Sequence, residues 1–339
     1  MSDNHPAKHY SKVDGSTIVV CNLCSRKCRI GESKRGFCKS RVNVGGELFT
    51  TNYGHAVAIN MDPIEKKPLY HFLPGRNILS LGTNYCNLAC KFCQNSEISQ
   101  HNTGFRKVTP DYIAALAVQS ENCCGLAFTY NEPTIWFEFV LDSSRIALHH
   151  GLKNVLVTNG DIAEKPLEEL APFISAMNID LKAYSDAFYR EQCGGGSLMA
   201  VLKTISRAYS LGIHVEVTNL VIPALNDSER MISDLVDFIA GVSTDIPLHF
   251  SRYHPAYLLE APPTPIKTLN SAFEIASKKL KFVYLGNVAD VAKNSTWCPT
   301  CKSLLVERHY FSSRSVGLAV RDGAATCRKC GEVIYGIFS

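Results

Sequence analysis

Between residues 75 and 290, short apolar runs alternate with helical stretches, and run after run ends in polar residues. Alternation of this kind argues for parallel βα units. The pattern predicts strands at about 77–81, 125–130, 154–158, 176–181, 213–220 and 247–251, with a last one at 281–285. Thr109-Pro110-Asp111 supplies a cap and a first-turn proline for one helix, and Asn226-Asp227-Ser228-Glu229 opens another. Leu202, Ile205, Ala208 and Tyr209 mark one face of a third, which ends near Gly212. Repeated units of this length form a full or partial barrel, or a doubly wound sheet. In a parallel barrel, chemistry sits where strands end. Here the first strand runs into a cysteine loop, and the next ends in Tyr130-Asn131-Glu132-Pro133-Thr134. Later ends carry Thr158-Asn159-Gly160, Asp180-Leu181-Lys182, Thr218-Asn219, and His249, Ser251 and Arg252. One such end is an ordinary turn signal; six in register are hard to explain as caps and turns.

The cysteine loop reads Gly82-Thr-Asn-Tyr-Cys-Asn-Leu-Ala-Cys-Lys-Phe-Cys-Gln-Asn95, so Cys86, Cys90 and Cys93 offer three thiolates from one short segment. A closed structural metal site takes four protein ligands, whereas a reactive one keeps a position open. A cubic [4Fe-4S] cluster is normally held by four thiolates, so three leave one iron free. The plainer alternatives are a zinc ion with a distant fourth ligand, or three buried thiols.

Two further cysteine sets flank this region. Cys298-x-x-Cys301 and Cys327-x-x-Cys330 form two knuckles able to surround one ion, with a zinc-ribbon-like module as the preferred reading. Cys21, Cys24, Cys28 and Cys38 form a less regular set for which zinc and a second iron–sulfur cluster both stay open. Spacing alone does not decide whether each set closes its own site. The cysteines thus divide the chain into a Cys-rich module at 1–45, a barrel at 46–290 and a C-terminal module at 291–339. Cys123, Cys124 and Cys193 read as buried thiols, although Cys193 adjoins Gly194-Gly195-Gly196 and can also face a substrate.

With 339 residues, 46% of them hydrophobic, the chain can bury a sizeable core. A polar first twenty residues predict no secretory signal, and no apolar run reaches membrane-spanning length. Fourteen cysteines in such a chain point to metal binding in a reducing cytoplasm, and an exposed cluster favours anaerobic conditions. Residues 1–45 hold nine Lys/Arg against three Asp/Glu, while the remainder is slightly acidic. This patch is too narrow for a nucleic-acid footprint. It reads as a solvated face that docks an acidic electron carrier such as reduced flavodoxin or ferredoxin through Arg26, Lys27 and Arg29.

The CxxxCxxC spacing with Phe92 before the last cysteine matches the radical S-adenosylmethionine (SAM) signature. The chain as a whole resembles the radical SAM enzyme of the AmmeMemoRadiSam system, a relative of pyruvate formate-lyase activating enzymes. The likeness rests on Cys21-Asn-Leu-Cys24, Tyr70-His-Phe-Leu-Pro-Gly75, the loop through Gln94-Asn95, Tyr130-Asn-Glu-Pro133 and Thr158-Asn-Gly160. It continues through Asp180-Leu-Lys182, His249-Phe-Ser-Arg252, Leu285-Gly-Asn287 and both terminal cysteine sets.

The resemblance implies a partial (β/α)6 TIM-like barrel, a [4Fe-4S] cluster on Cys86, Cys90 and Cys93, and SAM as cosubstrate. It further implies reductive cleavage of SAM to a 5′-deoxyadenosyl radical that abstracts hydrogen from a substrate it does not identify. Memo-type and AMMECR-type partners follow from the family name. On this reading Glu132, the catalytic candidate, accepts from the iron-bound amino group, or instead caps the helix opening with Pro133. Asn131, Thr158 and Asn159 are candidates for the SAM ribose or methionine part, or are turn residues. Asp180 and Lys182 belong to the expected binding set or form an internal ion pair, while His249 and Arg252 bind the SAM carboxylate or the substrate, or are satisfied structural groups. Activating enzymes carry Gly-Gly-Glu where this chain has Tyr130-Asn131-Glu132, which weakens the alternative of a glycyl-radical activase. A third alternative is a non-catalytic metal-bound scaffold.

Overall fold

A computed structural model describes residues 4–321 and 323–339. One eight-stranded sheet dominates it, built from β1 (Ala58–Pro63), β2 (Asn77–Gly82), β3 (Cys123–Phe128), β4 (Lys153–Thr158), β5 (Ala176–Asp180), β6 (His214–Val221), β7 (Leu248–Arg252) and β8 (Val283–Gly286). The strands lie side by side in chain order. Strands β2 to β8 are parallel, and β1 pairs antiparallel with β2. A doubly wound sheet reverses its strand order partway across. Here the order never reverses, so the sheet curls one way with its helices outside. Strands β1 and β8 remain its two edges, which leaves the barrel open.

The expected helices are present and capped as the sequence suggests. In α1 (Pro110–Gln119) the Thr109 hydroxyl accepts from the Tyr112 N–H at 3.2 Å. In α6 (Glu229–Val242) the Ser228 hydroxyl accepts from the Met231 N–H at 3.3 Å. Between them lie α2 (Phe137–His149), α3 (Glu164–Leu170), α4 (Asp186–Gln192) and α5 (Leu198–Ser210), and α7 (Ile266–Ser277) precedes β8. Strand β3 slips register between Cys123 and Leu126 at Gly125, whose φ is +155°. A Cβ there would lie 1.7 Å from the Lys153 carbonyl oxygen, so only glycine fits.

The N-terminal part folds as two small antiparallel sheets, one of which turns at Gly45-Gly46 and runs on to Thr50. It is fixed to the barrel by the buried Arg41 guanidinium, which grips Glu138 with two bonds of 2.8 and 2.9 Å. The Ala163 N–H adds a bond to the Leu23 carbonyl at 3.0 Å. The C-terminal part is also two three-stranded antiparallel sheets, packed on Tyr70, Phe282 and Tyr284. Arg308, wholly buried, donates to Thr296 within it and reaches out to the Tyr70 carbonyl.

These contacts close the barrel floor. Glu216 on β6 accepts from His214 at 3.0 Å, His249 at 2.7 Å, and the Tyr70 and His71 N–H groups at 3.0 and 2.7 Å. The His71 ring lies 2.7 Å from the Tyr335 carbonyl and 2.6 Å from the Tyr284 hydroxyl. A carbonyl can only accept, so Nδ1 carries the proton and Nε2 accepts from Tyr284. Among the described residues, no helix is long and apolar enough to cross a membrane.

Candidate active site

At the opposite end, Cys86, Cys90 and Cys93 line a single pocket at the strands' C-terminal edge. Its walls include Phe92, Asn95, Tyr130, Asn131 and Asn159, and then Asp180, Lys182, Thr218, Ser251 and Asn287 from successive strand ends. The cysteine loop is held from below and beside. Asn131 donates to the Tyr85 carbonyl at 2.6 Å, and its own oxygen accepts from the Thr83 N–H at 3.3 Å. Asn95 donates to the Tyr130 carbonyl at 2.7 Å. Donors already face the sulfurs: the Leu88 N–H lies 3.3 Å from Cys86, the Asn159 amide 3.6 Å from Cys86, and the Ser99 hydroxyl 3.2 Å from Cys93. Such donors suit thiolates held on a metal.

Burial pushes the Cys86 thiol well above its ordinary value, so a thiolate there needs a cation to offset the lost solvation. Contact with Cys193 pulls Cys90 down and pushes Cys193 up. Among the described residues, the C-terminal cysteines are the sole group of three or more metal-ligating side chains whose ligand atoms all lie within 4.8 Å of one another. The Cys86, Cys90 and Cys93 sulfurs do not form such a group. A cluster, in which each thiolate binds its own iron, suits a wider spacing.

Opposite the cysteines, the Lys182 ammonium meets Asp180 at 3.0 Å and lies 5.9 Å from the Phe92 ring centre. Burial opposes its charge, yet Asp180 and the thiols of Cys90 and Cys193 hold it well above its ordinary value. Glu132 is fully buried and spends its carboxylate on the protein. It accepts from the Thr134 N–H at 2.9 Å, the Thr158 hydroxyl at 2.8 Å and the Asn159 N–H at 2.8 Å. It therefore caps the short helix Pro133–Trp136 and fixes the turn that presents Asn159.

Comparisons with known proteins bear on what this pocket serves. The Radical SAM superfamily model matches residues 80–239, the stretch from β2 into α6 that builds most of the pocket. An uncharacterized protein of Methanocaldococcus jannaschii is 42% identical over 334 residues, 97% of this chain and 98% of that protein. Residues 80–239 thus form a radical SAM superfamily domain. The pyruvate formate-lyase-activating enzyme of Clostridium pasteurianum is 21% identical over 176 residues, 50% of this chain and 72% of that enzyme. A probable GTP 3′,8-cyclase of Archaeoglobus fulgidus is 28% identical over 160 residues, and the chain spans only 52% of its length. Streptococcus suis SuiB shares the fold at a TM-score of 0.50 and 16% identity, over 66% of this chain and 52% of its own.

Around this pocket, the residues expected from sequence separate into two groups. Asn131, Asn159, Asp180 and Lys182 line the pocket, whereas Glu132 and Thr158 stand behind it. His249 is displaced from the expected set: it faces the barrel interior one layer down, committed to Glu216. Arg252 donates to the Thr264 carbonyl at 2.9 Å and is also absent from the lining. Arg26 is half-buried and already engaged, donating to the Asn87 and Gly194 carbonyls and stacking on Phe37. Lys27 and Arg29 are exposed. Tyr130, Asn95, Thr218, Ser251 and Asn287 were missing from the expected set, although polar groups at strand ends were the available signal. Cys193 packs behind the cysteine loop, its carbonyl accepting from the Ala89 N–H at 2.8 Å.

The terminal cysteines form separate groups. In the C-terminal set, Cys298 and Cys330 sulfurs lie 3.5 Å apart, and Cys301 and Cys327 lie 3.6 Å apart. Two bonds of about 2.3 Å at a tetrahedral angle put sulfurs about 3.8 Å apart, so this set fits one metal ion. The Ser303 hydroxyl, 3.3 Å away, pulls Cys327 down to about 6, easing thiolate formation.

Proposed function

We propose that the protein is a radical SAM enzyme in which Cys86, Cys90 and Cys93 hold a [4Fe-4S] cluster with one iron open to SAM. When bound, that pair supplies a one-electron cleavage of the sulfonium into methionine and a 5′-deoxyadenosyl radical that abstracts hydrogen. The observation that carries this reading is the convergence of three thiols and six strand ends on one pocket. The chain's own residues bind and orient. Asn131 and Asn95 fix the cysteine loop, and the Asp180–Lys182 pair sets the charge of the facing wall. Asn159, Thr218, Ser251 and Asn287 offer hydrogen bonds for the ribose and the amino-acid part. Glu132 is a positioning residue that acts through Asn159. The C-terminal set, with four sulfurs around one ion position, fits a structural zinc site.

Anaerobically loaded protein, treated with dithionite and SAM, is expected to form 5′-deoxyadenosine; protein with a full iron complement and no such product would overturn the reading. A glycyl-radical activase is the second reading, favoured by the match to the Clostridium pasteurianum enzyme. It requires a target protein whose glycyl radical appears in electron paramagnetic resonance on incubation.

A further inference from the structure

The N-terminal cysteines raise a separate question, independent of the reaction proposed above. Cys21, Cys24, Cys28 and Cys38 all line one small pocket of about 20 Å³. Its other walls include Leu23, Ile30 and Ile135, and also Asn87 and Arg41. The four thiols thus converge, yet no three of their sulfurs lie within 4.8 Å of one another, in contrast to the C-terminal set. One zinc ion would draw its four sulfurs almost into contact and leave no pocket between them. In a cubane each thiolate binds a different iron, and sulfide fills the middle, so the thiols stand around a cavity. The central cysteines are spread in the same manner.

Arg41 supplies a second, independent observation. Its guanidinium is 1% exposed and gives both terminal nitrogens to Glu138, but its buried Nε–H has no partner. An orphaned charged donor in a wall of thiols costs free energy unless something anionic accepts from it. A thiolate or a bridging sulfide of a cluster is such an acceptor.

We propose that Cys21, Cys24, Cys28 and Cys38 hold a second [4Fe-4S] cluster, and not zinc, with Arg41 Nε donating to it. The site lies directly against the central cysteine loop. Asn87, the residue after Cys86, lines the N-terminal pocket while its side-chain oxygen accepts from Asn159 at 2.8 Å. Arg26, between Cys24 and Cys28, donates to the Asn87 carbonyl from the N-terminal side. The two cysteine sets are thereby held on one rigid seam.

The test uses the full chain produced anaerobically, with iron, acid-labile sulfide and zinc measured per chain. The variant Cys86→Ala/Cys90→Ala/Cys93→Ala is expected to keep about four irons and four sulfides, with a cluster signal in Mössbauer spectra. The reciprocal variant Cys24→Ser/Cys28→Ser, with the central loop intact, is expected to fall from about eight irons to about four, with zinc unchanged. The reciprocal variant decides the matter if the first does not fold. Zinc in place of iron in the first variant, or an iron count unmoved by Cys24→Ser/Cys28→Ser, would overturn the proposal.

Discussion

The two ends of the barrel are built from the same strands and the same interior face, yet they behave oppositely. On the floor the strong polar groups are committed to the protein: Glu216 takes four hydrogen bonds and His71 uses both ring nitrogens. At the mouth, Asp180, Thr218 and Ser251 stand around open space. His249 and Ser251 on β7 show how sharp the change is: two residues apart, pointing the same way, one is locked to Glu216 and the other borders the pocket. Polar residues facing a barrel interior are therefore not equivalent; depth along the strand decides whether they hold the fold or meet a ligand.

The comparison breaks most directly at the mouth. Cys90→Ala is expected to abolish 5′-deoxyadenosine formation while leaving the thermal melt nearly unmoved and the C-terminal metal bound. Retained cleavage would mean that the mouth is not the reactive end. Next in size, Glu216→Gln should destabilise the fold by about 3–5 kcal/mol in urea melts, because two histidines lose a buried carboxylate. A stable variant that had lost only activity would invert the assignment of the two ends.

A third test uses protons. Burial pushes His71 down to about 3, whereas in the unfolded chain it titrates near 6.5. The unfolded state then takes up the proton first as pH falls, so stability is lost on acidification below about 6.5. From pH 7 to pH 5 this group alone should remove about 2 kcal/mol. A flat stability profile over that interval would show that the floor admits a charged imidazole. The smallest effect concerns the outside of the N-terminal part: Lys27→Glu with Arg29→Glu should slow reduction by flavodoxin several-fold, and added salt should shrink the difference. No change would remove that face from electron delivery.

Much of this was legible in the sequence. The seven parallel strands follow from their apolar runs, and Thr109 and Ser228 cap their helices as written. Strand β1 was not legible. Its run Ala58–Pro63 alternates weakly, carries Asp62 and ends in proline, as an edge strand can. The 125–130 run stops short because Tyr130 turns out at φ +73°. The cysteine loop was visible because its ligands are neighbours in the chain. Sulfur-to-sulfur distances were not, since they depend on how hairpins fold back, and spacing left zinc and cluster equal at the N-terminal set. His249 and Arg252 were misplaced for a related reason: a motif gives order along a strand, not height in the barrel.

The floor also has a consequence for how the molecule is made. The Leu73 N–H bonds the Ile337 carbonyl, and the Ile337 N–H bonds the His71 carbonyl, so segments more than 260 residues apart seal one another. A chain emerging from the ribosome must hold Tyr70, His71 and Phe72 without that seal until Ile337 has been translated. Contacts of such sequence separation form late and slowly. The nascent barrel is thus the stage most exposed to chaperones, and to aggregation when they are scarce.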